Sequence, residues 1–221
     1  MLFNRSLELT KLTVLKLSVL CFVASLMDIF LPVFFRNFLG LPLYIDTVFA
    51  AAIAFAFGLI PGIAVAVLSW VILCTYWGVG FHLYVLCSIA EVLLICALKP
   101  AAPEIPKFAP KEKVIASYTG LAARLMLLYI LCAAAVSILG GLINYVSDLI
   151  LNLPLHHSSV EDTFKLALIM SNLPALAVNI LSRIPINIVD RFIVIFGGYF
   201  ISRGLLRLFG GLTPPSSSLA R

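Results

Sequence analysis

Residues 42–70 read PLYIDTVFAAAIAFAFGLIPGIAVAVLSW, which is two apolar runs around a short break. The first run begins near Asp46 and ends at Gly58, and the second covers about residues 63–77. Glycine and proline interrupt regular structure, so the Ile-Pro-Gly at 60–62 predicts a tight connection. The stretch therefore predicts two consecutive hydrophobic helices, each running across a membrane.

The composition of the whole chain points the same way. Hydrophobic residues fill 62% of the 221 positions and charged residues 11%, whereas a soluble domain carries roughly 25% charged residues. A membrane-crossing helix needs about 20 apolar residues, so a chain of this length holds roughly five to seven of them. We predict an all-α integral membrane protein, a bundle of about six transmembrane helices. Residues 1–212 form its single domain, and residues 213–221 form a disordered tail.

Other apolar stretches supply the remaining helices. The predicted spans are Thr13–Phe35, His82–Leu98, Val114–Leu151 and Ile188–Phe209. We read the first as a retained span and not a cleaved signal, because its apolar run is long and lacks a small-residue cleavage site. Residues 161–183 are apolar but interrupted by Ser171, Asn172 and Pro174. They are either a seventh span or a broken segment at the outer face.

Basic residues predict the orientation, because cytoplasmic flanks are enriched in lysine and arginine. Three basic residues precede the first apolar run, which starts at Leu17, and four lysines lie in the proline-rich loop of residues 99–113 after the fourth span. An even number of crossings puts both regions in the cytoplasm. Arg203 and Arg207 join them only if residues 161–183 do not cross. The pattern favours six spans with both termini in the cytoplasm.

Under this topology, aromatic, amide, carboxylate and guanidinium groups gather at the outer helix ends. Small-molecule sites are lined by such a mixture of flat apolar and orienting polar groups. We predict that the substrate-binding residues are Tyr44, Asp46, Trp77, His82, Asn144, Tyr145, Asp148, Asn187, Asp190 and Arg191. The alternative is an interfacial belt with capping residues, since Asp46 and Asp190 each open a predicted helix.

Two carboxyls lie deep in predicted spans, Asp28 and Glu91. Ionisable groups at this depth are costly, so each either binds a ligand or proton or hydrogen-bonds to a neighbouring helix. His156 and His157 are adjacent and their side chains point apart, so we expect no metal site there. No motif of an enzyme, a cofactor site or a nucleic-acid-binding module is present. We therefore expect no enzymatic activity and no cofactor.

Small residues recur at four-residue spacing in the first three spans, which places them on one helix face. Such a face lets another helix approach closely, either within the bundle or from a partner protein. The residues are Cys21, Ser25, Ala50, Ala54, Gly58, Gly62 and Ala66.

Residues 42–70, together with RIPINIVDRFIVIFGGYFI at 183–201, resemble the substrate-binding S components of energy-coupling factor vitamin transporters. The Gly-x-x-Pro-Gly turn at 58–62 and the polar start of the last helix carry the resemblance. It implies a six-helix protein of a bacterial or archaeal cell membrane. It also implies that the chain captures a vitamin or similar micronutrient from outside at the mouth residues named above.

The resemblance further implies partners. S components dock on a transmembrane coupling subunit that carries two cytoplasmic ATPases, through small residues, typically alanines, on the first helix. Cys21 and Ser25 occupy those positions here, and they are the predicted docking residues. ATP hydrolysis would then take place on other chains.

Two other functions fit a multi-span chain. One is a membrane sensor domain of the kind that precedes a histidine kinase, which would continue into a cytoplasmic signalling domain. We do not expect that domain, because few residues follow the last predicted span. The other is a membrane enzyme acting on lipid, for which residues 148–157 are the region with candidate interfacial groups.

Overall fold

The computed structural model describes residues 2–39, 43, 45–77, 83–100, 110–151 and 160–209. All regular secondary structure in these residues is helical. The helices are α1 (Leu2–Leu39), α2 (Val48–Phe57), α3 (Leu59–Trp77), α4 (Val85–Leu98), α5 (Lys111–Leu151), α6 (Val160–Met170), α7 (Ala175–Leu181), α8 (Ile184–Phe192) and α9 (Gly198–Phe209), with a π-helical turn at Ile193–Gly197.

In the described part of the chain, three helical stretches are long and apolar enough to cross a membrane. They are Leu12–Phe35, Lys111–Leu149 and Ala175–Phe209, with mean hydropathies of 2.2, 2.4 and 1.6 over an 18-residue window in each. The apolar helices Val48–Phe57, Leu59–Thr75 and Val85–Leu98 are shorter. The all-α prediction is confirmed, and three of the predicted spans have the length and composition of membrane-crossing helices.

The junction between α2 and α3 is tighter than predicted. The chain reverses at Gly58 alone, whose φ of +94° is a conformation that glycine adopts without steric cost. Pro61 and Gly62, which the sequence places in the connection, lie inside the first turn of α3. Proline is tolerated there because the first N–H groups of a helix have no intrahelical partner.

Residues 161–183 do not form one continuous helix. Helix α6 ends at Met170, a turn follows in which Asn172 has a φ of 56°, and α7 begins at Ala175. Helix α6 has 11 residues and is therefore about 16 Å long, too short to cross a hydrocarbon core of about 30 Å. The last helical stretch begins earlier than predicted, at Ala175 instead of Ile188.

Helix α2 is the centre of the bundle. It packs against α1, α3, α4 and α9, and eight of its ten residues are buried. Small side chains allow this close approach: a Cβ on Gly62 would lie 2.8 Å from the Cβ of Ala54, and one on Gly198 would lie 3.0 Å from that of Ala51. The small residues of α2 and α3 therefore pack inside the bundle.

Two ends of this bundle differ in chemistry. The Asp46 end consists of the last turns of α1, α3 and α5 and the first turns of α2 and α4. The Gly58 end consists of the α2–α3 junction, the end of α4 and the start of α5. Helix α2 spans only about 15 Å between them, from its 10 residues. It thus begins well inside the length of α1, which has 38 residues.

Candidate functional site

Arg191 is the centre of a charged cluster at the Asp46 end. Its Nη1 atom donates to Glu91 Oε2 at 2.5 Å and to Thr47 Oγ1 at 2.9 Å, and its Nη2 atom lies 3.5 Å from Asp46 Oδ1. The Thr47 hydroxyl donates to the same Glu91 oxygen at 2.8 Å. The Arg191 and Glu91 side chains are 4% and 1% exposed and that of Asp46 is 23% exposed. Asp46 is therefore the outermost member of the cluster.

The cluster links three separate parts of the chain, because α8 supplies the arginine, α4 the glutamate and the start of α2 the other two groups. Glu91 also carries a second buried oxygen, Oε1, which hydrogen-bonds to no other described residue. Buried charges cost several kcal/mol each unless they are paired and hydrogen-bonded. An arrangement with one guanidinium and two carboxylates is thus unusual inside an apolar bundle.

The burial pattern of α8 places Arg191 on its inward side. Its polar residues are buried and its apolar residues are exposed, the reverse of a helix on a water-soluble protein. The buried residues are Asn187, Asp190 and Arg191, and the exposed ones include Ile188, Val189 and Phe192. Apolar groups on the outside and ionisable groups on the inside are the pattern of a helix whose outer side faces lipid.

Asp28 has a structural role beside this cluster. Its two carboxylate oxygens accept hydrogen bonds from the backbone N–H groups of Phe49 and Ala50, at 2.7 and 2.8 Å. These N–H groups belong to the first turn of α2, where a helix has unpaired donors and a positive dipole end. Thr47 occupies the N-cap position but makes no capping bond. Asp28, reaching from α1, therefore caps α2.

Aromatic and polar side chains form a second group at the same end. The rings of Trp70 and Tyr84 stack with centroids 6.1 Å apart, and the Trp70 indole N–H donates to Ser88 Oγ at 2.8 Å. The guanidinium of Arg183 lies over the Tyr84 ring, 4.8 Å from its centroid, and donates to its hydroxyl at 2.9 Å. The Tyr84 hydroxyl donates to Asn144 Oδ1. This group joins α3, α4, α5 and the α7–α8 turn.

A crevice between α1 and α3 opens next to Asp46. Counting its open side it measures about 220 Å³, but it has room for only about one water molecule. It is lined by Asp28, Ile29, Pro32, Asp46, Ser69, Trp70 and Leu73. Burial raises the pKa of the Asp46 carboxyl above its ordinary value, and the charge of Arg191 opposes that rise. The Asp46 carboxylate thus lies between the crevice and the buried arginine.

The structure brings several predicted site residues together and separates others. Asp46 and Arg191 meet, and Asn144 joins the aromatic group. Asn187 instead donates to Ser137 Oγ at 2.9 Å inside the bundle. Asp190 is fully buried in the second turn of α8, so the expectation that it opens a helix is wrong.

The remaining predicted site residues are partly exposed at the Asp46 end or lie outside the described residues. Asp148 forms a salt bridge of 2.8 Å with Lys165 of α6, and Tyr145 is half-buried on α5. Tyr44 and His82 lie outside the described residues, as do His156 and His157. Trp77 ends α3, and its side chain is not described.

The proposed docking positions are buried. Cys21 is 8% exposed and Ser25 is not exposed. The Ser25 hydroxyl lies 2.9 Å from the Cys21 carbonyl oxygen and 3.3 Å from that of Val65 on α3. Both residues therefore pack α1 against α3, and in this structure they present no surface to another protein.

Several residues of the charged cluster and the aromatic group are not among the site residues that the sequence predicts. The sequence indicates Glu91 as a deep carboxyl but not as part of the mouth, and it does not single out Thr47, Trp70, Tyr84 or Arg183. The available signal is positional, since Thr47 follows Asp46 and Tyr84 lies at the start of the predicted span of residues 82–98. Nothing in the sequence indicates that Arg183 stacks on Tyr84, 99 positions away.

Among the described residues, no group of three or more His, Cys, Asp or Glu side chains is placed to hold a metal ion. Comparison of the chain with protein-family models, with curated protein sequences and with solved structures finds no match.

Proposed function

We propose that this chain is a membrane-embedded substrate-binding subunit that captures a vitamin or related micronutrient at its Asp46 end. Partner subunits then drive uptake with ATP. The observation that carries the proposal is the buried cluster of Arg191, Glu91 and Asp46. It is held by three separate helical elements and lies beside the stacked rings of Trp70 and Tyr84.

The energetics of the cluster support a role beyond stability. Replacing a buried ion pair by apolar residues of similar size is often neutral or stabilising, so burial of charge is a poor way to hold a bundle together. Ionisable groups within membrane-crossing segments mark ligand or ion sites. Flat aromatic area next to convergent polar groups is the usual lining of a small-molecule site.

The proposal includes a topology. Six apolar stretches cross the membrane, namely α1 to α5 and the composite stretch from α7 to α9, with the Asp46 end outside and α6 at the outer face. The exposed basic residues favour this orientation, since Lys99, Lys111, Lys113, Arg203 and Arg207 lie at the opposite end. Helix α2 need not match the bilayer thickness, because it lies inside the bundle and Asp28 satisfies its first donors.

The partners in this proposal are a transmembrane coupling subunit and two cytoplasmic ATPase subunits, as the resemblance to S components implies. Because Cys21 and Ser25 are buried, docking uses other faces. The exposed apolar side of α1, which includes Val19, Val23 and Leu26, is available to lipid and to a partner helix alike.

Mass spectrometry of small molecules released from the purified protein tests capture directly. We expect one co-purifying micronutrient, and thermal stabilisation when that compound is added back. Arg191→Gln should weaken its binding roughly tenfold or more, because a buried charge pair loses one partner. Arg203→Gln, at the Gly58 end, is the matched control and should bind normally. A protein that carries no ligand and shows no thermal shift across a panel of vitamins would contradict the proposal.

A multi-span sensor could use the same site, and uptake distinguishes the two functions. Cells that produce the chain with coupling and ATPase subunits should accumulate the labelled ligand, and an ATPase variant unable to hydrolyse ATP should abolish accumulation. Binding without uptake in every such combination would favour the sensor.

A further inference from the structure

Thr47 lies at the start of α2, where a threonine ordinarily caps its own helix. Its carbonyl oxygen accepts the first intrahelical bond, from the Ala51 N–H at 2.9 Å, so it occupies the N-cap position. The hydroxyl of a capping threonine accepts the N–H of the second or third helical residue, which here are Phe49 and Ala50. The Thr47 hydroxyl makes no such bond and is therefore available to another partner.

Asp28 accepts the two N–H groups instead. Its Oδ1 atom lies 2.7 Å from the Phe49 nitrogen and its Oδ2 atom 2.8 Å from the Ala50 nitrogen. Asp28 belongs to α1 and is fully buried, so both bonds depend on how α1 packs against the start of α2. A carboxylate also suits the positive end of a helix dipole. Asp28 thus occupies the donors that the Thr47 hydroxyl would otherwise cap.

The Thr47 hydroxyl is bonded to the charged cluster. It accepts from Arg191 Nη1 at 2.9 Å and donates to Glu91 Oε2 at 2.8 Å, and Thr47 is only 3% exposed. A hydroxyl has a single proton to donate, so these two bonds fix its orientation. The Thr47 backbone, at φ −133° and ψ 13°, lies outside the β region that capping residues favour. Both its backbone and its side chain are therefore set for the cluster.

We propose that Asp28 is a positioning residue for Arg191, because its capping of α2 keeps the Thr47 hydroxyl on the guanidinium. If α1 withdraws Asp28, two buried N–H groups lose their acceptor, and such groups require a new one. The Thr47 hydroxyl can satisfy one of them only by leaving the cluster. The packing of α1 thereby controls how firmly the arginine is held. The inference rests on the capture function above, since it adds a means of regulating that same site.

Hydrogen exchange in protein purified without added ligand tests this link between Asp28 and Arg191. The protein is labelled with 15N and studied by NMR in dodecyl maltoside micelles, and Arg191→Gln identifies the guanidinium signals of Arg191. Asp28→Ala should raise the exchange rate of these guanidinium protons by roughly fivefold, the effect of losing one hydrogen bond. The guanidinium of Arg183, which donates to Tyr84 at the same end, is the internal reference and should not change.

A double-mutant cycle shows whether the effect passes through Thr47. Thr47→Val removes the hydroxyl, so it should raise the exchange rate of Arg191 as much as Asp28→Ala does, while Asp28 still protects the Phe49 and Ala50 amides. Adding Asp28→Ala to Thr47→Val should have no further effect on Arg191. It should, however, make the two amides exchange faster than in Asp28→Ala alone, because no hydroxyl remains to replace the carboxylate.

Two further variants complete the cycle. Thr47→Ser keeps the hydroxyl and should behave like the unaltered protein. Ser137→Ala is the matched control, because it removes a buried hydroxyl that is bonded to Asn187 of α8 at 2.9 Å and not to the charged cluster. It should leave the exchange of Arg191 unchanged. If Asp28→Ala does not fold, Asp28→Asn keeps one acceptor oxygen, replaces it in the cycle and should give the same pattern with a smaller effect.

The outcomes separate this inference from the capture function. Unchanged exchange of Arg191 in the Asp28 variant, an equal rise at Arg183, or additive effects of the Asp28 and Thr47 substitutions on Arg191 would overturn it. Capture would still stand if a co-purifying ligand is found, because the cycle measures no ligand. Conversely, a protein that carries no ligand but shows the non-additive pattern would keep the link between Asp28 and Arg191 and lose the capture function.

Discussion

The Asp46 end and the Gly58 end of the bundle are built on opposite principles. At the Gly58 end the contacts are between small apolar groups, as where Gly62 lies against Ala54 and Val92, and the basic residues are exposed. At the Asp46 end, charged groups are buried and bonded to one another across helices, as in the contacts of Arg191 with Glu91 and Asp46.

The difference shows that the two ends use different kinds of contact between helices. Close packing of small residues stabilises a membrane bundle without polar groups. Buried charges add constraint and cost, and they are retained where a ligand or ion is handled. The apolar end is therefore held by close packing, and the charged end is where we propose that the ligand binds.

Removing the central cation should have the largest effect. Arg191→Met leaves the buried Glu91 carboxylate without its guanidinium, and we expect a loss of about 3–5 kcal/mol in the free energy of unfolding. The measurement is thermal unfolding in dodecyl maltoside micelles, with a Tm lower by roughly 10 °C. The exposed Arg207 at the Gly58 end is the control, and Arg207→Met should change stability by less than about 0.5 kcal/mol.

A second change shows whether the loss comes from the unpaired carboxylate. Adding Glu91→Gln to Arg191→Met should recover part of the Tm, because a neutral amide is cheaper to bury than an unpaired charge. Equal Tm values for the Arg191 and Arg207 variants would show that removing an arginine costs the same stability at both ends, which would contradict this prediction.

The cap on α2 should have the next largest effect. Asp28→Ala leaves the N–H groups of Phe49 and Ala50 without their acceptor, which should cost about 3 kcal/mol. Asp28→Asn keeps one acceptor oxygen and should lose less. Tm and amide exchange of the α2 backbone are the measurements. If Asp28→Ala is as stable as the unaltered protein, Asp28 is not the cap.

Packing at the Gly58 end should respond to a single methyl group. Gly62→Ala places a Cβ 2.8 Å from that of Ala54 and 3.1 Å from its Cα, and we expect a loss of about 1–2 kcal/mol. Gly120→Ala is the control in α5, where no atom lies within 4 Å of the added Cβ. It should be neutral or stabilising by up to about 1 kcal/mol. The same Tm for both variants would show that α2 and α3 are not in close contact.

The smallest effect should come from the salt bridge between Lys165 and Asp148. The Lys165 side chain is 10% exposed and that of Asp148 42%, so water at Asp148 screens the pair and we expect it to contribute about 1 kcal/mol. Asp148→Asn should therefore shift Tm by no more than roughly 2–4 °C. If Asp148→Asn lowers the free energy of unfolding as much as Arg191→Met does, then location at the Asp46 end, and not burial of the charge, determines the size of the loss.

Most of the helices could be predicted from the sequence, but the residues at which they begin could be predicted less well. The hydrophobic runs predicted each apolar helix because the need to satisfy backbone polar groups in an apolar environment forces long helices. The start of α3 was missed because Pro61 is compatible with either a turn or a first helical turn. The last stretch begins earlier than predicted because Pro185, which predicts a boundary, lies in the first turn of α8.

The candidate site could be predicted only in part. Asp46 and Arg191 are both predicted site residues, because charged groups are rare in this chain and each needs a partner inside an apolar bundle. Their pairing could not be predicted, because they are 145 positions apart and meet only through the tertiary packing that brings Arg191 of α8 to Asp46. The four-residue spacing places Cys21 and Ser25 on one face of α1, and they are therefore the predicted docking residues. The spacing does not indicate what covers that face.

The sequence by itself determined that this chain is helical and apolar, because composition and run length depend on the residues alone. It also determined which few residues carry charge. The tertiary structure decided which charges meet, that Asp28 caps α2, and that the small residues of α1 face inward. The physical reason is that hydrophobicity acts residue by residue, whereas hydrogen bonds and ion pairs depend on distances of about 3 Å that only packing sets.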